Sequence, residues 1–503
     1  MSEQYEVTPI IIDTADKTEP DAGSDLWKNR EMIYESLEDT SRPLVSIYVQ
    51  AYNRLEKTRY CVECVLKYTN EIDYELILVD NGSSDGTYEY FQKVPWKNKQ
   101  IIRVSKNIGM TFPWYTIRQI YRGKYLAGIP NDVYVTKNWL KNLLRCLESD
   151  SRIGFVNPVS CNVSNLQEVV LPFGTLDEMQ EQAAVFNCSD PSKWEERLRL
   201  IALLCIYKRE VLDLVGIPDC GFAHSFNEDD YAARLRHVGY RLMLCKDTYV
   251  HHDHNYRESD IIKFKQDCAI GKQNFKEKYY LDGWYDFDNF EPILMNMLVP
   301  ESFTPGVVHA LSVDVRCGTP VLDIRNKFKA AKTGHKILSY AFTTQAKYYD
   351  SLLRQAENVV CDRIEFIGEN YKEESMDLIL LGEPLNDYGQ PLVLLRKLIL
   401  ILKKGGVLLV KRRNLNSYLM LLQNLKLDGA DTGVPYTYLS EKEFVKCLEN
   451  LDVSDLNSTA ELYRMTDEKV NLIKNIAKML NPNNCDETTL QLMTNNYHCC
   501  IVK

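Results

Sequence analysis

The stretch LILVDNGSSDGT (residues 76–87) leaves a chain few ways to fold. Four apolar residues bounded by turn formers read as a strand buried on both faces. A strand without a polar face needs cover above and below the sheet. The pattern recurs along the chain: LVSIYVQ (44–50) runs into AYNR, IIRVS (101–105) into KNIG, and YLAGIPNDVYV (125–135) follows. Segments of helical spacing over 55–69, 88–93 and 113–122 separate these runs. Strands alternating with helices predict an α/β fold with a mostly parallel sheet and right-handed crossovers.

In such a sheet, ligands bind outside the carboxyl ends of the strands, where loops present amides and short polar side chains. Asp80 closes one such strand, where a carboxylate can accept from a ring N–H. Asp85, Gly86 and Thr87 can open the next helix. A plain strand-to-helix turn with a capping Asp would use the same residues, so the flanking motifs have to decide.

At 503 residues the chain needs two or three domains. Its 45% hydrophobic and 26% charged residues are those of a soluble globular protein. A net charge of −10 argues against nucleic acid or an anionic membrane surface as main partner. It leaves room for a phosphorylated small molecule, which local amides or a bound cation can hold. The opening residues are acidic and polar, without the basic and apolar regions of a signal peptide. No stretch reaches the roughly 20 apolar residues of a membrane span. The 15 cysteines are scattered, and the Cys61–Cys64 pair falls in a helical stretch with no second half. Buried reduced thiols and a cytoplasmic location are expected. Trp114, Trp139 and Trp194 read as core residues.

Together, VSIYVQAYNR (45–54), ILVDNGSSDGT (77–87), KNIGM (106–110) and PNDVYVTKNWL (130–140) resemble the family 2 glycosyltransferases. So do LIALLCIYKREVLDLVG (200–216), FNEDDYAARLRHVGYRL (226–242) and TYVHHDH (248–254). The resemblance covers roughly residues 44–285, in order and at the family's spacing. It implies a GT-A fold that takes a nucleotide-activated sugar, with a UDP-linked donor first among candidates. It further implies that Ala51, Tyr52, Asn53, Arg54, Asp80, Asn81, Asn107, Gly109 and Asn131 line the nucleotide, with Asp80 accepting from a uracil-type ring.

Asp132 occupies the slot of the family's metal-binding acids, although Pro130 and Asn131 stand where two further acids are common. Oxygen ligands beside phosphates suit Mg²⁺ or Mn²⁺. His251 and His252 fit as additional ligands better than His254. In the segment Glu228, Asp229, Asp230, the resemblance implies a general base for the acceptor hydroxyl. Counting from Gly239–Tyr240 selects Glu228, and aligning the acidic dipeptide selects Asp229. Three acids at a helix start could also simply complement its dipole.

The second half restarts the alternation near residue 305. HALSVDVRCGTPVLDI (309–324) reads as a strand, a turn and a helix, HKILSYAFTT (335–344) and ESMDLILLGEPLND (374–387) as strands, and LVLLRKLILILKKGGVLLVKRRN (392–414) as an amphipathic helix, a Lys-Lys-Gly-Gly turn and a strand. They resemble a class I S-adenosylmethionine-dependent methyltransferase domain over roughly 305–450. The departures fall at the cofactor loops: Arg316 and Pro320 replace glycines that would let a cofactor approach, and Ala341 replaces the ribose-binding acid. This half is therefore expected not to bind S-adenosylmethionine.

The expected organisation is an acidic flexible segment 1–43 with a helix near Trp27–Leu37, a transferase domain 44–290, a methyltransferase-like domain 305–450 and a helical extension 451–503. The expected activity is inverting transfer of a sugar, N-acetylglucosamine from its UDP donor as first guess. The acceptor would be a hydroxyl on a glycan or on a Ser or Thr of flagellin or another surface protein. A bifunctional transferase and methyltransferase, and a non-catalytic scaffold, are the rival readings. Any oligomer is expected to form through the C-terminal half.

Overall fold

The computed structural model describes residues 5–14, 43–219, 221–222, 225–254, 258–424 and 437–503. The helix expected near Trp27–Leu37 lies outside them. Two compact units divide the chain at Phe287 and Asp288.

The strands of the first unit are β1 (Ile10–Ile12), β2 (Val45–Ala51), β3 (Tyr74–Asp80), β4 (Lys99–Val104) and β5 (Tyr125–Pro130). They continue with β6 (Val133–Tyr134), β7 (Ile153–Ser160), β8 (Trp194–Arg197), β9 (Cys205–Lys208) and β10 (Arg241–His252). Their order is β1-β4-β3-β2-β5-β9-β7-β10-β6, with β8 on β10. β1 through β5 are mutually parallel, and β9 runs against both β5 and β7.

Side-chain alternation splits the central strands between two cores. Ile47, Val49, Leu76 and Leu78 face helices Leu55–Tyr68 and Trp139–Glu148. Tyr48, Ile77 and Val79 share the other face with helices Pro113–Ile120 and Asn227–His237. Apolar residues on both faces are what the unbroken run LILV requires. Trp114, Trp139 and Trp194 are buried in these cores, and Cys61 and Cys64 are buried thiols.

Two expectations need correction here. Ile10–Ile12, read as part of a flexible lead, forms an edge strand paired in parallel with β4. The stretch 125–135 is not one strand: Pro130 has no N–H to continue the ladder, and a turn at Asn131–Asp132 separates β5 from β6. That turn carries Asp132 out of the sheet.

The second unit contains β11 (Val307–Val313), β12 (Lys336–Thr343), β13 (Asn358–Cys361), β14 (Met376–Leu381), β15 (Leu402–Arg413), β16 (Asp455–Leu462) and β17 (Thr494–Val502). Their order is β13-β12-β11-β14-β15-β17-β16, parallel except for the antiparallel pairing of β17 with both neighbours. Residues 451–503 are therefore more than a helical extension. They carry two helices, but β17 is built into the sheet and buries Cys499 and Ile501 in its core. The KKGG sequence lies within β15 as an irregularity rather than ahead of the strand. Among the described residues, no helix is long and apolar enough to cross a membrane.

Candidate active site

The strand order of the first unit reverses at β2, which has β3 on one side and β5 on the other. A crevice opens outside the carboxyl ends of parallel strands at such a switch point. Here its walls are the loop after β2 and the turn after β5. Asn53 and Arg54 take left-handed backbone conformations, with φ of 55° and 64°. Neighbouring loops lock that bend. Asn53 N donates to Ser83 Oγ at 2.8 Å, Ser84 N donates to Asn53 Oδ1 at 2.9 Å, and Leu55 N donates to Asp85 Oδ2 at 2.8 Å. Asn131 Nδ2 donates to Asn53 O at 2.9 Å and to Thr58 Oγ1 at 2.8 Å, tying the two walls together.

Asp80 is fully buried at the end of β3, beside Ala51 in register. Its Oδ1 accepts from Ser83 N at 3.0 Å, while its Oδ2 is buried without a hydrogen-bond partner among the described residues. Burial pushes its pKa up, against the hydrogen bonds from Ser83. A buried acceptor with no donor is costly, and a ligand N–H would relieve it.

The other predicted nucleotide-lining residues differ in what they can offer. Asn81 Nδ2 donates to Gly109 O at 2.9 Å and to Asn107 Oδ1 at 3.2 Å, and Gly109 N donates to Asn107 Oδ1 at 2.9 Å. Asn81 and Asn107, like Asn131, thus hold loops in place with their amides. Tyr52 stands 48% exposed, with its ring available to a ligand.

The turn after β5 brings Asp132 to two histidines. His254 Nδ1 lies 3.5 Å from Asp132 Oδ2, and His252 Nε2 lies 4.0 Å from Oδ1. One ligand atom from each of the three residues falls within 4.8 Å of the others. The pairing of β10 with β6 sets this up, placing His252 opposite Val133, while Asp253 N donates to Asp132 O at 2.8 Å. Lys57 fastens the same corner through Asp253 at 3.0 Å. Burial opposes the Asp132 charge, but the His254 hydrogen bond and the nearby His252, His254 and Arg54 hold its pKa below the usual carboxylate range. Burial holds His252 below the usual imidazole range, which favours the neutral, ligating form.

His251 is not part of this group, contrary to the sequence reading. Its Nδ1 lies 3.2 Å from both Cys161 Sγ and Tyr249 Oη, and its ring stacks on Tyr134. Alternation along β10 turns His251 away from the side His252 takes. His254 lies past the end of that strand, where a turn with His254 N donating to His252 O at 2.9 Å brings its ring beside that of His252, with centroids 4.8 Å apart.

The three acids at 228–230 part company. All lie in the first turn of helix Asn227–His237. Asp230 is fully buried and accepts from Arg234, Lys278 and Tyr279 at 2.9, 2.6 and 2.7 Å. Asp229 is buried against the Arg199 guanidinium, with Trp284 Nε1 3.4 Å from its Oδ2. Glu228 has no side-chain hydrogen bond among the described residues. Burial and the Asp229 charge push its pKa up to about 7. It lies within electrostatic reach of Cys205, which pairs with Gly128 two residues before Pro130. Arg199, Trp284 and Lys57 support the site without any local sequence signal, because long-range folding brings them there.

Residues 46–185 match the model of glycosyl transferase family 2. The chain is 28% identical over 123 residues to a chondroitin synthase of Pasteurella multocida (strain Pm70), a match covering 24% of this chain and 13% of that protein. It is 24% identical over 194 residues to the Escherichia coli UDP-Glc:alpha-D-GlcNAc-diphosphoundecaprenol beta-1,3-glucosyltransferase WfaP, covering 38% of this chain and 69% of that protein. Among solved structures, it matches the mannosyltransferase PcManGT from Pyrobaculum calidifontis in complex with GDP-Man and Mn²⁺. That match has a TM-score of 0.34 and 17% identity, and covers 48% of this chain and 67% of the other.

Proposed function

We propose that the first unit is an inverting glycosyltransferase using a UDP-linked sugar. The observation that carries the reading is that the carboxyl ends of β3 and β5, on either side of β2, hold a buried carboxylate lacking a donor (Asp80) and the Asp132–His252–His254 group. The family match over residues 46–185 supports it. Asp80 Oδ2 would accept from the ring N–H of the base, and Tyr52 would cover it. One carboxylate oxygen and two imidazole nitrogens suit a transition-metal ion such as Mn²⁺ better than Mg²⁺, which prefers an all-oxygen shell. Bound there, such an ion would neutralise charge on the departing diphosphate.

Glu228 is the base in this scheme. It takes the proton of the acceptor hydroxyl as that oxygen bonds to the anomeric carbon and the bond from that carbon to the diphosphate breaks. UDP then carries away the electron pair of the broken bond. Asp229 and Asp230, whose carboxylates are engaged, position the helix that presents Glu228.

The UDP-glucose in the name of the E. coli relative favours a uridine donor. N-acetylglucosamine remains the first sugar to test. The acceptor is a hydroxyl of a glycan or of a Ser or Thr on a surface protein such as flagellin.

We further propose that the second unit is a methyltransferase-like domain that does not take S-adenosylmethionine. Its sheet also reverses, at β11 between β12 and β14. Arg316 Nε spans that point to Glu383 Oε1 at 2.9 Å, where a cofactor would have to enter. Asp314 is occupied by Thr344 N and Thr344 Oγ1 at 2.7 and 2.9 Å and by Tyr388 Oη at 2.9 Å. Ala341 is interior to β12, so the strand ends at Thr343, which is also not an acid.

Calorimetric titration with UDP, UDP-N-acetylglucosamine and S-adenosylmethionine, each with and without Mn²⁺, tests both halves. Mn²⁺-assisted UDP binding without S-adenosylmethionine binding is expected. Silence from every uridine nucleotide would overturn the transferase reading, and saturable S-adenosylmethionine binding would revive the bifunctional enzyme.

A further inference from the structure

Two groups compete for one oxygen of Asp132. His254 Nδ1 lies 3.5 Å from its Oδ2, and Arg54 Nη1 lies 3.2 Å from the same atom. The ion pair is sheltered, with the Arg54 and Asp132 side chains 25% and 12% exposed. Nor is it a chance rotamer of a loose loop. Arg54 sits at the start of helix Leu55–Tyr68 in a left-handed backbone conformation, between Asn53 and Leu55, both fixed by hydrogen bonds. Pro130 and Asn131 add no acid to this turn, so Asp132 supplies the only negative charge in the ligand trio. A guanidinium paired with it cancels that charge.

We propose that Arg54 is an electrostatic latch on Asp132. It neutralises the carboxylate while no divalent ion is bound and competes with such an ion for Oδ2. When donor and ion enter together, it turns to the donor's diphosphate, for which a guanidinium is well shaped. This rests on the crevice being a sugar-nucleotide site. The latch makes the ion bind weakly by itself and makes donor and ion each tighten the other, since binding linkage is reciprocal. It explains how a site with a single carboxylate avoids an idle buried anion between turnovers.

The test is calorimetric titration of MnCl₂ alone, without nucleotide, into the full chain carrying Arg54, Arg54→Asn or Arg54→Lys. Asn is the apt neutral replacement because it tolerates left-handed backbone. Arg54→Gln serves as a second neutral variant should Arg54→Asn fold poorly. Removing the competing charge should tighten Mn²⁺ binding about five- to tenfold, as expected for a partly sheltered charge pair. Arg54→Lys keeps the charge and should stay near the original affinity. UDP added with Mn²⁺ should bind the neutral variants more weakly than the original chain.

A merely structural Arg54 would instead leave Mn²⁺ affinity unchanged or lower it on substitution, and either result overturns the latch. So does an absence of Mn²⁺ binding in all variants. If UDP binds none of them while the Mn²⁺ affinities follow the expected order, the competition for Asp132 Oδ2 stands, and the sugar-nucleotide reading falls together with the turn of Arg54 to the donor.

Discussion

Glu228 and Asp229 are consecutive in the first turn of one helix, and only Asp229 is engaged, held by the Arg199 guanidinium. The same fold that neutralises one acid leaves its neighbour with a raised pKa of about 7. A general base acts as the carboxylate, so turnover should rise with pH through about 7 and level off above it. Glu228→Gln should lower kcat at least about 100-fold, the usual worth of a positioned base. Steady-state UDP release, followed against pH, checks both points. A flat profile together with near-normal Glu228→Gln turnover would move the base elsewhere.

The same shift carries a stability consequence of opposite use. Between its ordinary value of 4.5 and about 7, the unfolded chain loses the Glu228 proton while the folded chain keeps it. Stability from this group is therefore full below pH 4.5 and is lost as the pH rises to about 7. Glu228→Gln should raise Tm at pH 8 and change it little at pH 4. Melting curves at the two pH values decide.

Asp80 pairs an unmet acceptor with burial, so its removal should separate binding from stability. Asp80→Asn should weaken UDP binding about 10- to 100-fold, the worth of a hydrogen bond to a charged group. The melting temperature should hold or rise, because an amide avoids burying a charge. Calorimetry alongside thermal melts would show the split, and a destabilised variant with intact UDP binding would contradict it.

The two neighbouring histidines should differ in kind. His254→Ala removes a donor from the Asp132 group and should weaken Mn²⁺ binding about tenfold or more. His251→Ala deletes buried contacts to Cys161 and Tyr249. It should cost about 1–2 kcal/mol of stability and spare the ion. Mn²⁺ titration and urea unfolding of both variants test this assignment.

In the second unit, a Cβ at Gly382 would come within 2.5 Å of Asp314 O. Backbone cannot yield as a side-chain tip can. Gly382→Ala should therefore destabilise that unit by about 2 kcal/mol, as overpacking does, measured by chemical denaturation.

Much of the fold was legible because its signals are local. Apolar runs at 44–50, 76–79 and 101–105 read as strands, that at 76–79 as one covered on both faces, and the helices between them followed from spacing. The resemblance marked a strand within 200–216, where β9 lies, but its antiparallel run against β5 and β7 has no local signal. β17 escaped notice because its partners, β15 and β16, are far from it in sequence. Ile10–Ile12 is a strand only because β4 offers it an edge, which no local propensity announces.

In the site, the sequence by itself determined which residues gather. The polar loops sit at strand ends, and an open parallel sheet brings strand ends to one edge. Asp80 was identifiable on that ground, and the resemblance to the family 2 glycosyltransferases pointed to Asp132, the acids at 228–230 and the histidines. Only the tertiary structure decided what each is free to do. Arg199 and Lys278 engage Asp229 and Asp230 and leave Glu228. Strand alternation turns His251 inward, a turn past the end of β10 brings His254 to Asp132, and Arg54 closes on the carboxylate that a metal would need. The reason is physical: a residue's type sets the chemistry it could perform, but its protonation and availability depend on partners tens of residues away. Those partners exist only once the chain has folded.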